Sequence, residues 1–240
     1  MRCLRLLVAA LPLVACSYHI YSLPARTLVY DGAATAGKGN TVVRGDLGYT
    51  GEVFDPPAFS GQVELRHGVS DRLDVTASAA LVHVDKPNDA TVSPDIYLGH
   101  VGVKLRPDAE SGLIAIAAGA GVAHSPDAGT ALSADATLIV AYENCVAVPF
   151  ATLGAFASTP LTANQVYLGA NDDGDGRTAT AQTTVGLSST LGFKVPLAPE
   201  SCRAHRPTPA LVAGGGLIDM TDGSDHQALF TGTLGFEAAF

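Results

Sequence analysis

Tryptophan is absent from the 240 residues, methionine occurs only twice, and Asp, Glu, Lys and Arg together make up 15% of the chain. So small a charged fraction beside 47% apolar residues excludes intrinsic disorder, which needs low hydrophobicity and high charge. The shortage of Lys and Glu also excludes a coiled coil, because long helices draw on Ala, Glu, Lys and Leu. The 14 basic residues form no run and are outnumbered by 23 acidic ones, for a net charge of −9. Nucleic acid therefore lacks the electrostatic footprint its phosphates require, and no such partner is expected. No apolar run is long enough to cross a bilayer as a helix. What is abundant is Gly, with 26 residues, together with Ala, Val and Thr, in a chain long enough to bury one large domain. That composition points to β structure.

The N-terminus reads MRCLRLLVAALPLVAC, with Arg2 and Arg5 ahead of the apolar run Leu6 to Leu13, the layout of a secretion signal. The end of the run, Leu13-Val14-Ala15-Cys16, resembles the lipobox of bacterial lipoproteins. The resemblance implies that residues 1–15 are a lipoprotein signal peptide, that Cys16 becomes the first mature residue, and that its thiol carries lipid. Ser17, where an aspartate would retain the chain at the inner membrane, implies delivery to the outer membrane. An ordinary signal peptide cut at nearby small residues is the alternative. Loss of residues 1–15 leaves 12 basic residues against 23 acidic, which discourages attraction to anionic lipid. It also removes Cys3, so that Cys145 and Cys202 remain in an oxidising compartment as a candidate disulfide, with two free thiols as the alternative.

Residues 16–40 lack sustained periodicity and contain several turn formers, and are read as a lipidated N-terminal tether. From residue 41 onward the period is two. Val43, Gly45, Leu47 and Tyr49 alternate with Arg44, Asp46 and Thr50; Val63 and Leu65 alternate with Gln62, Glu64 and Arg66. GVSDR then turns the chain into Leu73, Val75 and Ala77 against Asp74, Thr76 and Ser78, which makes a hairpin. Similar alternation sets Lys104, Asp135, Lys194 and Glu237 opposite apolar faces. Residues 113–123, 150–158 and 210–220 are less clean Ala/Gly/Leu runs of strand length, and a buried helix is the alternative for the first. Ten strands are expected, at 41–53, 59–67, 72–84, 95–106, 113–124, 131–143, 148–158, 180–195, 208–220 and 226–240, with eight to twelve as the range. An even count returns the C-terminus to the side where the chain began. Strands of about ten residues tilted by about 40° match an apolar band about 25 Å tall.

Alternation alone does not separate a soluble barrel with an apolar lumen from a membrane barrel with an apolar exterior. The aromatic residues favour the second, since they fall near strand ends as two interfacial girdles require: Tyr142, Phe150, Phe193, Phe236 and Phe240 at one end, Tyr49, Phe54, Phe59, Tyr97, Phe156 and Phe230 at the other. The last strand, alternating and stopping on Phe240 with Phe236 before it, resembles the terminal assembly signal of Gram-negative outer-membrane β-barrel proteins, and RHGVSDRLDVTAS at 66–78 resembles their strand, short turn, strand units. The resemblance implies a small, porin-like, antiparallel up-and-down barrel over residues 41–240, with outer-membrane lipid and the barrel-assembly machinery as partners. The connection 196–207 is long for a periplasmic turn. Cys145 and Cys202 fall in connections on the same side, where a disulfide needs Cα atoms within about 7 Å.

Arg44, Asp46, Glu64, Arg66, Asp74, Lys104, Asp135, Lys194 and Glu237 share the polar faces and are expected to form an ion-pair network that fills a narrow lumen. In the loop 159–179, Asn171, Asp173, Asp175 and Gly176 match positions one, three, five and six of a calcium loop. The twelfth position is Gln182 and no helices flank it, so a solvated acidic loop is the reading preferred over a metal site. His67, His83, His100, His124 and His226 are scattered singly without a nucleophile motif, which argues against an enzyme, a hydrolase at the rim being the alternative. No cofactor is expected. The chain thus reads as a structural or surface-interaction barrel of the outer membrane. A narrow channel or small-ligand transporter and a lipid-anchored soluble binding module in the periplasm are the alternatives.

Overall fold

The structure, a computed structural model, describes residues 20–51, 57–84, 95–107, 113–170, 176–203 and 208–240. The signal peptide and Cys16 lie outside the described residues. In chain order the elements are β1 (Ile20–Tyr21), β2 (Thr41–Gly51), β3 (Ala58–Gly68), β4 (Leu73–Val84), β5 (Asp95–Leu105), β6 (Ile114–Ser125), β7 (Gly129–Ala141), β8 (Val148–Ala163), β9 (Val166–Ala170), β10 (Gly176–Ala179), β11 (Ala181–Gln182), β12 (Thr184–Pro196), α1 (Pro199–Arg203), β13 (Ala210–Thr221) and β14 (His226–Ala239). Ten of them, β2 to β8 and β12 to β14, close into an antiparallel barrel. The Ala/Gly/Leu run beginning at 113 is strand β6, not a buried helix. Gly and Ala are tolerated there because neighbours on both sides complete the ladder.

Two seams close the ring. Strand β8 pairs with β12 from Ser158↔Thr184 to Val148↔Lys194, so the residues between them stand outside the sheet as the β9–β10 hairpin and β11. Strand β14 pairs with β2 from Phe230↔Gly51 to Ala239↔Val42. The C-terminal Phe240 donates its N–H to Thr41 at 2.8 Å and accepts the Thr41 N–H at 3.0 Å. The barrel therefore begins and ends at one rim, called here the terminal rim. The opposite one, which carries the β9–β10 hairpin, is the loop rim.

Side chains alternate across this wall, and the exterior is apolar. Leu47, Val63, Val101, Leu153, Leu187, Leu191 and Leu234 all stand more than half exposed on the outside, while Arg44, Glu64, Arg66, Asp74, Lys104 and Glu237 point into the lumen and are buried. An apolar belt of this extent far exceeds the patches that soluble monomers tolerate, and it matches a wall in contact with hydrocarbon. The soluble arrangement, with apolar faces turned inward, is not the one adopted. At the terminal rim Tyr142, Phe193, Phe236 and Phe240 face outward, and at the loop rim Tyr49, Phe59, Tyr97 and Phe230 do so, with Tyr49 and Phe59 in edge contact at 5.6 Å. Phe150 and Phe156 depart from the expected girdles: both are buried in the lumen, because in β8 the outward positions are Ala151, Leu153, Ala155 and Ala157. Phe54 lies outside the described residues.

The long connection after β12 holds helix α1 and the disulfide Cys145–Cys202, with Cα atoms 5.6 Å apart across 57 residues of sequence. It ties the β7–β8 turn to α1 at the terminal rim. Closing a loop of that length restricts the unfolded chain by about 2–4 kcal/mol. Cys202→Ser is accordingly expected to lower the temperature at which the barrel unfolds in detergent, read by gel mobility over a heating series, without preventing closure. An unchanged midpoint would remove the disulfide from the account of stability.

Candidate functional site

The lumen is occupied by the chain itself. Residues 22–40 have no regular structure, as a tether would, yet they do not run outside the barrel. They cross its interior from the loop rim to the terminal rim. Ser22, Ala25, Val29, Tyr30, Asp31 and Ala33 are buried there. At the loop rim β1 pairs in parallel with β11, Ile20 beside Ala181 and Tyr21 beside Gln182. The Ser22 N–H donates to Thr184 Oγ1 at 2.9 Å, Ser158 Oγ donates to the Leu23 carbonyl at 2.9 Å, and the Ala25 N–H donates to Ser133 Oγ at 2.7 Å. Midway, Thr27 bonds Gln62, Thr190 Oγ1 donates to the Val29 carbonyl at 2.9 Å, and the Tyr30 hydroxyl lies 3.1 Å from Thr231 Oγ1.

A charged layer follows toward the terminal rim. Asp31 pairs with Arg66 and, at 2.5 Å, with Lys104, whose ammonium also donates to the carbonyls of Gly32 and Ala34, each at 2.7 Å. Arg44 donates to the Tyr30 carbonyl and pairs with Asp46 at 2.7 Å. Below it, the Ala34 N–H donates to Glu143 at 2.8 Å and the Ala36 N–H to Asp74 at 2.9 Å. The segment leaves under Gly68, where Gly39 N donates to the Gly68 carbonyl at 2.8 Å. A Cβ at Gly68 would collide with the Gly37 carbonyl, and Gly37 itself has φ of 80°, so the chain turns here only with glycine on both sides of the contact. Eight of the ten wall strands bond to the segment. A polypeptide without secondary structure must satisfy its buried backbone groups elsewhere, and here the wall supplies the partners.

The nine polar residues placed on the lumen face by alternation all point inward, but several pair differently from the arrangement of neighbours along a strand. Arg44 and Asp46 pair with each other. Glu64 and Arg66 do not: Glu64 takes Arg26 of the luminal segment at 3.0 Å, and Arg66 takes Asp31, with Asp74 and Glu237 each at 3.5 Å. Lys194 pairs with Glu237 at 2.6 Å, and Asp135 with His100 at 2.7 Å. Arg26 and Asp31 lie outside the strands, where alternation gives no sign of a lumen-facing position. Their signal is two opposite charges within the otherwise apolar and small-residue stretch LPARTLVYDGAA. The remaining histidines stand apart: His83 pairs with Asp95 and His226 with Asp219 in exposed positions, and His67 and His124 bond to threonines. Among the described residues no three His, Cys, Asp or Glu gather as a metal site. Asn171, Asp173 and Asp175 lie outside the described residues.

The segment divides the remaining space. Toward the loop rim lies a cavity of about 250 Å³ bounded by Leu23, Leu28, Leu98, Ile218 and Met220, with Arg26, Gln62 and Thr231 at its inner end. Toward the terminal rim a smaller one of about 170 Å³ is lined by Ala34, Arg66, Glu143, Lys194 and Glu237. The Asp31–Arg66–Lys104 layer lies between them. An ion crossing the barrel would have to break that layer.

No protein-family model matches the chain, and no curated protein matches it in sequence. Among solved structures, the N-terminal β-barrel domain of Pseudomonas aeruginosa OprF is 8% identical with a TM-score of 0.35, over 85% of this chain and 99% of that one. Neisserial surface protein A is 10% identical with a TM-score of 0.38, over 83% and 94%. The β domain of the Bordetella autotransporter Brka is 11% identical with a TM-score of 0.41, over 84% and 99%. Likeness at this level transfers no residue's role.

Proposed function

We propose that the protein is an integral outer-membrane β-barrel lipoprotein, closed by its own N-terminal segment, with a structural or surface-interaction role. One observation carries the reading: a wall that is apolar outside encloses a lumen whose charges are paired with one another or with Arg26 and Asp31 of the luminal segment. A general channel is disfavoured, because ten strands leave little more room than side chains fill and this room holds a polypeptide. The aromatic rims and the alternating strand β14, with Phe236 facing outward, support insertion by the barrel-assembly machinery with the terminal rim in the periplasm. In that orientation Ile20 stands at the cell-surface rim.

The test is expression with the native signal in a Gram-negative host. Unboiled and boiled samples are expected to migrate differently, carbonate is expected not to extract the protein, and labelled palmitate is expected to enter the wild type and not Cys16→Ala. A protein that runs alike in both states and is released by carbonate would overturn the membrane reading. Orientation is read separately: a membrane-impermeant maleimide on intact cells should label Ser224→Cys in the loop-rim turn and spare Ser70→Cys in the terminal-rim turn.

A further inference from the structure

The loop-rim cavity has a chemistry that neither the plug nor the ion-pair layer uses. Its walls are mostly apolar, Leu23, Leu28, Leu98, Ile218 and Met220 among them, and its volume is about 250 Å³. A dry apolar cavity of about 150 Å³ holds benzene, so this one has room for about ten non-hydrogen atoms. At its inner end stands Arg26, whose side chain is 9% exposed and bound through one terminal nitrogen to Glu64, while its Nε–H is buried with no hydrogen-bond partner. A buried donor on a charged group left without an acceptor is costly, and Arg26 is one of the residues that line the cavity.

The charge around Arg26 selects the kind of acceptor. Glu64 is already paired to it, Asp135 lies with it on a small adjoining cavity, and Asp46 lines the main cavity while holding Arg44. Each of these carboxylates already has its partner, Glu64 in Arg26, Asp46 in Arg44 and Asp135 in His100, so no spare positive charge is left to compensate a buried anion. A neutral oxygen meets the donor without that cost. We propose that the cavity binds a neutral, medium-chain amphiphile, a ketone, ester or alcohol of about ten non-hydrogen atoms, with its chain among the apolar walls and its oxygen on Arg26 Nε–H. The inference goes beyond the barrel's structural role and rests on the membrane reading only in the choice of a lipid-embedded sample.

The experiment places the full mature chain in phosphatidylcholine nanodiscs, free of competing detergent, and measures partition of radiolabelled 2-nonanone against empty nanodiscs. Saturable binding of one molecule per barrel is expected. Ile218→Trp, which fills the cavity, should abolish it, and Arg26→Met should weaken it about tenfold, the loss of one charge-assisted hydrogen bond. Nonanoate should bind no better than it does to empty discs. If the Trp variant fails to close, judged by the mobility shift on boiling, Val82→Phe replaces it. Uptake by the wild type equal to that of empty discs, uptake unaffected by filling the cavity, or nonanoate bound as well as the ketone would each overturn the proposal. The mobility shift reports insertion and closure by itself, so a failed membrane reading is told apart from an empty cavity.

Discussion

Deletion of residues 20–36 is expected to turn a silent barrel into one that passes current in planar bilayers. In the intact chain the segment fills the space between wall side chains, and its Asp31 sits in the layer of Arg66 and Lys104 that separates the two cavities. Without it, Arg44, Arg66, Lys104 and Lys194 face Asp46, Glu64, Asp74, Asp135 and Glu237 across a lumen that water can enter, since ten strands are wider than the eight that side chains alone just fill. The wall should still close, because the deleted residues include no barrel strand and the β14–β2 seam is made by later residues. Stepwise conductance from the deletion variant and none from the wild type is the expected pair of results. A variant that shows the mobility shift of a closed barrel yet stays silent would mean that the wall side chains collapse and seal the lumen unaided.

Asp31→Ala is expected to loosen the plug and to cost more than any other single replacement along it. Asp31 is the shared acceptor of Arg66 and Lys104, and all three are buried. Removing one member of a buried ionic cluster leaves charge without compensation, a loss of about 3–5 kcal/mol. Asp74 and Glu237 recover part of it for Arg66, at 3.5 Å each, but Lys104 keeps only the carbonyls of Gly32 and Ala34. Two readouts check this: the unfolding midpoint by gel mobility should fall, and Ala33→Cys, buried in the wild type, should react with a thiol reagent in the Asp31→Ala background. The double variant Asp31→Ala/Lys104→Met should regain part of the stability, because it removes the stranded charge with its partner. If Asp31→Ala leaves the midpoint and the labelling unchanged, the ionic layer does not hold the segment.

Much of the wall was legible before any coordinates. A period of two from residue 41, broken by turn formers, locates all ten strands, most to within two residues of their ends, because a strand with one face in hydrocarbon and one in a polar lumen must alternate. Strands β8 and β12 are the exceptions: β12 begins at Thr184, four residues after the expected start, and in β8 the extension to Ala163 and the inward turn of Phe150 and Phe156 are hidden by a run rich in alanine, which satisfies either face. The polar residues of the lumen were legible as a set. Their partners were not.

What the order of residues determined by itself is the local alternation: strand positions, an even count, one polar and one apolar face, and two cysteines on one side of the ring. What only the tertiary structure decided is the filling of that ring. Residues 22–36 have no periodicity because their contacts are not repeated along one neighbour; they meet eight different strands in turn, and the surface they bind exists only once β8 has found β12 and β14 has found β2. Arg26 and Asp31, two opposite charges in an otherwise apolar and small-residue stretch, acquire Glu64, Arg66 and Lys104 as partners through closure of residues far apart in sequence. Burial in a common lumen makes those pairings strong, and burial is a property of the closed barrel rather than of any segment of its sequence.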